Sequence, residues 1–226
     1  MSQTYSTQRV LELACAAQRT NKEYLKESQS VFDNEGKFLF VKHTNKTLIR
    51  FALGIDKFTE YAPQTIFIED CDKEQAEEIK KYFRRLLFSA IKGDNDFHTE
   101  VNALLNSNEI SASKIGYIAC LPSVFIRDST RNTFEKRIKS LDEGYVAEKD
   151  CWINDKDCEV LQCIRSKNFD AFNVDAVIDN KLVSWFSKFE IKIGPAVVVK
   201  GKIKDHGHHW STKKSTTRLN YVKVAQ

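Results

Sequence analysis

The sequence predicts an α+β chain: a mainly α N-terminal region with a small β-hairpin, followed by a C-terminal β-barrel. Two observations carry this. Apolar residues recur at helical spacing through most of the first 140 positions. After Gly144 the texture changes to period-two alternation rich in β-branched and aromatic residues. The predicted domains are therefore 1–143 and 144–226.

Each element has its own signal. Val10, Leu13, Ala14 and Ala17 predict a helix over 6–28. Phe38–Val41 and Leu48–Phe51 are short β-prone runs separated by His43-Thr44-Asn45-Lys46, which predicts a hairpin within 37–53. Asn45-Lys46-Thr47 fits a glycosylation sequon and reads as a chance match in a chain without a secretory start. A long helix begins at Asp70 or Asp72, is lined by Ile79, Phe83, Leu86, Leu87 and Ala90, and can end at Gly93. Its basic quartet Lys80, Lys81, Arg84 and Arg85 reads as a solvated face balanced by Glu74, Glu77 and Glu78. Helices follow over 96–106, over 111–127 after a Ser-Ala-Ser cap with a kink or stop at Pro122, and over 131–140. Strands are predicted near 145–152, 157–165, 170–179, 182–189, 195–205 and 217–224.

Composition excludes several classes. With 42% hydrophobic and 29% charged residues, only 3 Pro and 8 Gly, the chain has the balance of a soluble globular protein. No apolar run approaches the roughly 18–20 residues that cross a bilayer. Met1-Ser2-Gln3-Thr4-Tyr5 lacks the basic start and apolar core of a signal peptide, so a cytoplasmic location is expected. The 6 cysteines form no C-x-x-C pair and are expected to be free thiols.

Net charge is +4, a small number with an uneven distribution. Residues 1–143 hold 21 basic and 21 acidic side chains; residues 144–187 hold 5 and 8; residues 188–226 hold 9 and 2. The positive excess sits in the last stretch, which points to an anionic ligand at that end.

Two motifs there carry a family resemblance. Val197-Val198-Val199-Lys200-Gly201-Lys202-Ile203-Lys204-Asp205-His206 resembles a strand of OB-like domains in bacteriophage and prophage proteins, and Thr216–Val224 resembles their closing strand. Ile115–Ala119 and Gly144-Tyr145-Val146 are similar to the segments that precede that module, so the resemblance spans roughly 95–226. Val146-Ala147-Glu148-Lys149 departs from it by lacking a second Gly. The resemblance implies a barrel that binds single-stranded DNA or RNA in replication or recombination, in the bacterial host cytoplasm.

OB-like barrels hold single strands with a basic groove and aromatic platforms. Strict alternation lines up Lys200, Lys202 and Lys204 and sends Val197, Val199, Gly201 and Ile203 inward. Same-face lysines then sit about 6.6–6.8 Å apart, close to the phosphate spacing of an extended strand. Trp185, Phe186 and Tyr221 are candidate stacking surfaces. Alternation allows only one of Trp185 and Phe186 to face the core, and places Tyr221 on the face of Leu219. Lys188, His206, Lys213, Lys214 and Arg218 complete the candidate contacts, beside His208, His209 and Trp210 in the loop 206–215. The competing reading is a solubilising lysine edge that blocks sheet-to-sheet association.

Rival chemistry is thinner. Asp175 with Glu190-Ile191-Lys192 has the spacing of a Mg²⁺-dependent nuclease, which needs Glu190 and Lys192 on one strand face. Cys151, Cys158 and Cys163 with His206, His208 and His209 have poor spacing for zinc. No G-x-x-x-x-G-K and no G-x-S-x-G occurs, and His43 and His98 stand apart from any nucleophile motif. No enzymatic activity, cofactor or metal is expected. Beside the nucleic acid, replication or recombination proteins and a second copy of the chain are the expected partners; the alternative is a structural or protein-docking module, in which the α region would carry the interaction through oligomerisation. The chain ends Val222-Lys223-Val224-Ala225-Gln226 without an acidic tail, which argues against a partner-recruiting hub.

Overall fold

Ser6 accepts a hydrogen bond from Arg9 N and starts helix α1 (Thr7–Asn21), whose Val10, Leu11, Ala14 and Ala17 are fully buried. The computed structural model describes residues 3–57, 61–90, 96–166 and 168–226, without the side chains of 87–90 and 96. The chain divides into two compact units, Met1–Asp128 and Ser129–Gln226, against the expected division at 143/144. The difference is the helical stretch from 129, which packs on the barrel.

In the first unit α1 is central. Packed on it are α2 (Asn45–Ala52), α3 (Asp70–Ala90), α4 (Asp96–Asn106) and α5 (Ile115–Ala119). Their Leu48, Ile49, Ile79, Phe83, Val101, Ile115 and Ile118 fill the core around its small alanines. Strands β1 (Thr4–Ser6) and β4 (Glu109–Ser111) pair antiparallel, and β2 (Gln29–Phe32) pairs with β3 (Phe38–Lys42). The last helix, α6 (Leu121–Lys139), follows directly.

Several local expectations are corrected here. The helix predicted over 6–28 ends at Asn21, because Lys22 turns left-handed at φ 62°. The hairpin exists, but over 29–42 rather than 37–53. Its turn is Asp33–Lys37, where Asp33 Oδ1 accepts from Glu35 N and Lys37 N and Gly36 takes φ 81°. His43–Lys46 is a helix start, since the Thr44 hydroxyl accepts from Thr47 N and caps α2. Asn45 of the sequon is fully buried and accepts from Asn21 Nδ2 and Leu25 N. Residues 111–127 are not one helix: a strand end and a 3-10 turn (Ala112–Lys114) precede α5, and the break before α6 falls beside Pro122. That proline cannot donate to the preceding turn. The predicted helix over 131–140 is the second half of α6. Gly93, and the faces assigned to Leu87 and Ala90, lie outside the described residues.

The second unit is a closed five-stranded barrel of β5 (Trp152–Arg165), β6 (Phe172–Ile178), β7 (Lys181–Ser187), β8 (Gly194–His208) and β9 (Ser215–Ala225). Their order around it is β5-β6-β7-β9-β8, with β7 and β9 parallel and every other pair antiparallel. This Greek-key closure makes the chain α+β with an OB-like barrel. Closure works because β5 is long and bulged at Val160/Gln162: its first part pairs with β8 and its last part with β6. Asp179 and Asn180, both at positive φ, make the two-residue turn between β6 and β7. Ile153, Val160, Val174, Ala176, Val183, Trp185, Val198, Ile203 and Leu219 fill the interior. Outside, Ile138 and Leu141 cover Val177 and Leu182.

Of the strand predicted at 145–152 only Trp152, the first residue of β5, is strand; 145–151 is irregular chain. It is tied down by Val146 N to Thr217 Oγ1, Asp150 N to Ile203 O and Ile203 N to Cys151 O. Among the described residues no helix is long and apolar enough to cross a membrane. All six cysteines are free.

Candidate nucleic-acid interface

Bulges decide which side chains of β8 face out. Register shifts against β9 fall between Val198 and Lys200, between Lys200 and Lys202, and between Ile203 and Asp205. Ala196 and Val198 face inward before the first shift, and Gly201 and Ile203 after it. Val199 is consequently exposed, which corrects its expected core position, and Val197 is only partly buried. Gly201 faces inward as expected: a Cβ there would meet Ile153 Cγ1 at 3.4 Å and Val198 Cγ1 at 3.5 Å.

A cavity of about 290 Å³ lies on the outer face of the barrel. Its floor is Asn173 and Asp175 of β6 and Ser184 of β7, with Trp185 and Phe186 beside them. Thr216, Arg218, Leu219 and Asn220 of β9 form one wall, Lys204 and His208 of β8 another, and His209 and Trp210 of the β8–β9 loop overhang it. The β7–β9 ladder stops at Ser184↔Arg218, so the cavity opens where the two strands cease to pair. Phe186 is 63% exposed and packs edge-on to Phe169 of the β5–β6 loop at 5.9 Å. Trp185 is 4% exposed and belongs to the interior.

The loop over the cavity is built rigidly. His209 N donates to Lys214 O (2.8 Å) and Lys213 N to His209 O (3.0 Å), with Lys213 at φ 59°. Thr212 N donates to His209 Nδ1 at 3.3 Å, so the neutral ring carries its proton on Nε2. That atom faces Asp175 Oδ2 at 3.5 Å, and Phe134 closes on the ring from α6. Asp175 is fully buried, and neither of its oxygens accepts a hydrogen bond among the described residues. His209 Nε2 is likewise buried without a hydrogen-bond partner among the described residues, so the two polar groups face each other across the 3.5 Å gap.

Glu143 anchors the far end of this loop through Lys214 Nζ (2.9 Å) and Ser215 Oγ (2.9 Å). The bond from Lys214, then the one from Ser215, holds its carboxyl below the ordinary value of 4.5. A depressed carboxyl contributes stability that is whole above the unfolded pKa and is lost as pH falls through the folded one. The loop is therefore expected to loosen below about pH 4.5, and Glu143→Gln to remove that acid dependence. Amide exchange of 209–214 measured against pH checks this; an unchanged acid profile in the variant contradicts it.

The predicted contacts distribute as follows. Phe186, Lys204 and Arg218 meet at the cavity with Trp185 behind them. Lys204 makes no ion pair among the described residues, while Arg218 is 3.7 Å from Asp205. Lys213 is exposed and donates to Trp210 O; Lys214 is mostly buried against Glu143. His206 is stacked on Tyr145 at 4.0 Å with its Nε2 at 2.9 Å from Ala147 O. Lys188 is exposed in the β7–β8 loop. Lys200 and Tyr221 gather instead around Trp152, with Lys202 bridged to Asp150 at 2.7 Å. Sequence reading left out Trp152, Phe169, Asn173 and Ser184. No local pattern singles them out, because only strand pairing brings them beside the basic residues.

The rival sites look different in three dimensions. Glu190 and Lys192 lie in the irregular β7–β8 loop, exposed, so the shared strand face needed by a nuclease is not formed. Cys158 is buried, Cys151 is exposed, and Cys163 Sγ accepts from Ile191 N. Among the described residues no group of three or more His, Cys, Asp or Glu side chains could hold a metal ion. Comparison with protein-family models, with curated proteins and with solved structures finds no match for this chain.

Proposed function

We propose that the protein binds single-stranded nucleic acid, with DNA the expected form, without chemically altering it. The observation that carries this is the position of the cavity. It occupies the face of the second and third barrel strands beneath the loop between the fourth and fifth, where OB folds take oligonucleotides. Phe186, Phe169 and Trp210 supply exposed rings on which bases can stack, and Lys204 and Arg218 supply phosphate partners. Replication or recombination, where single strands are exposed, is the setting we infer from the phage-type motifs of β8 and β9.

Fluorescence anisotropy with labelled single-stranded DNA, duplex DNA and RNA at two salt concentrations tests this. Single strands are expected to bind most tightly, with log affinity falling by about 0.7 per phosphate contact per log unit of salt. Binding that is absent at low salt, or indifferent to salt, would contradict the proposal. A protein-docking role is the second reading. It is favoured by the β2–β3 hairpin, which leaves Phe32, Phe38, Leu39 and Phe40 exposed.

A further inference from the structure

Trp152, the first residue of β5, is 46% exposed, and Tyr221 of β9 is 75% exposed. Their rings lie 6.3 Å apart at 33°, and Lys200 Nζ sits 4.3 Å from the centre of the Trp152 ring. Tyr221 stands at φ 55°, a left-handed conformation that bulky side chains rarely adopt. The strain has a structural origin. Lys200 pairs with Lys223 but Lys202 with Asn220, so β9 carries an extra residue at Tyr221 and turns that ring outward. A large aromatic held in water on a strained backbone is an arrangement associated with function.

Strand register connects this pair to the cavity. Trp152 is opposite Lys202 on β8, Lys202 is opposite Asn220 on β9, and Asn220 lines the cavity. From β6 to β5 by this route there are four inter-strand steps of about 4.8 Å, a path of about 20 Å. That suits a few extended nucleotides, the low end of the roughly 4–16 that an OB fold covers. Lys200, Lys202 and the exposed Lys223 make the far end basic, as a phosphate backbone requires.

We propose that Trp152 and Tyr221 form a second base-stacking platform, so that one single strand leaves the cavity across β9 and β8 and ends on β5. This rests on the nucleic-acid reading above. The test uses full-length protein and oligothymidylates of about 3 to about 12 residues. The variant is Trp152→Ala with Tyr221→Gly, because glycine accepts the positive φ without strain and should preserve the fold. Affinity of the variant for the longest oligomer is expected to fall at least about tenfold, with the shortest unaffected and Trp152→Phe near wild type. Wild-type length dependence that the double variant retains would overturn this proposal alone. Absence of binding by the wild type would overturn both.

Discussion

Reversing the two cations at the cavity, Lys204→Glu with Arg218→Glu, is expected to weaken single-strand binding about 100-fold or more at low salt. Each residue would lose a charge-assisted phosphate contact worth roughly 1.5–3 kcal/mol, and gain repulsion. Lys204 is exposed and makes no ion pair among the described residues, so its reversal leaves the fold intact. Arg218 lies beside Asp205, where a glutamate adds like-charge repulsion; Arg218→Gln with Lys204→Gln separates lost contact from strain. The neutral pair should lose about tenfold or more, and its salt dependence should become shallower by the contribution of two contacts. Affinity unchanged in both pairs, with melting temperatures unchanged, would remove the cavity from the binding path.

Adjacent aromatics are expected to part company. Trp185→Ala deletes a large interior side chain, touching the core with Val174, Val183 and Leu219, and should cost about 3–5 kcal/mol of stability. Phe186→Ala removes a ring that mostly faces solvent and should change stability by no more than about 0.5 kcal/mol. Its effect should appear in affinity instead, at roughly 1–3 kcal/mol for one lost stacking contact. Chemical denaturation and anisotropy on the two variants read both quantities. A stability loss for Phe186→Ala comparable to that for Trp185→Ala would mean that the assignment of inside and outside is reversed.

That pair also marks how far sequence reasoning reaches. Alternation established that only one of Trp185 and Phe186 can enter the core; the β6–β7 ladder, with Val174 opposite Trp185, decides which. Period two was misleading for Val199 and Tyr221, since a bulge changes parity and leaves no residue signature in β8 or β9. The Asp33–Gly36 turn was legible in principle, as Asx and Gly turn chemistry, but the β-prone run after Thr44 competed with it. Thr44 settles that competition by capping α2, whose apolar residues Leu48 and Ile49 then find a core to enter.

The sequence by itself determined the class of the fold, an α-rich region followed by a barrel, and the concentration of positive charge near the C-terminal end. Both are sums over many residues, so single local exceptions do not disturb them. Only the tertiary structure decided what that charge surrounds. Lys204 and Arg218 meet Phe186 because non-neighbouring strands close the barrel, and Asp175 is buried because a loop more than thirty residues later folds over it. Long-range pairing and bulged register set those neighbours, and neither is encoded in spacing along the chain.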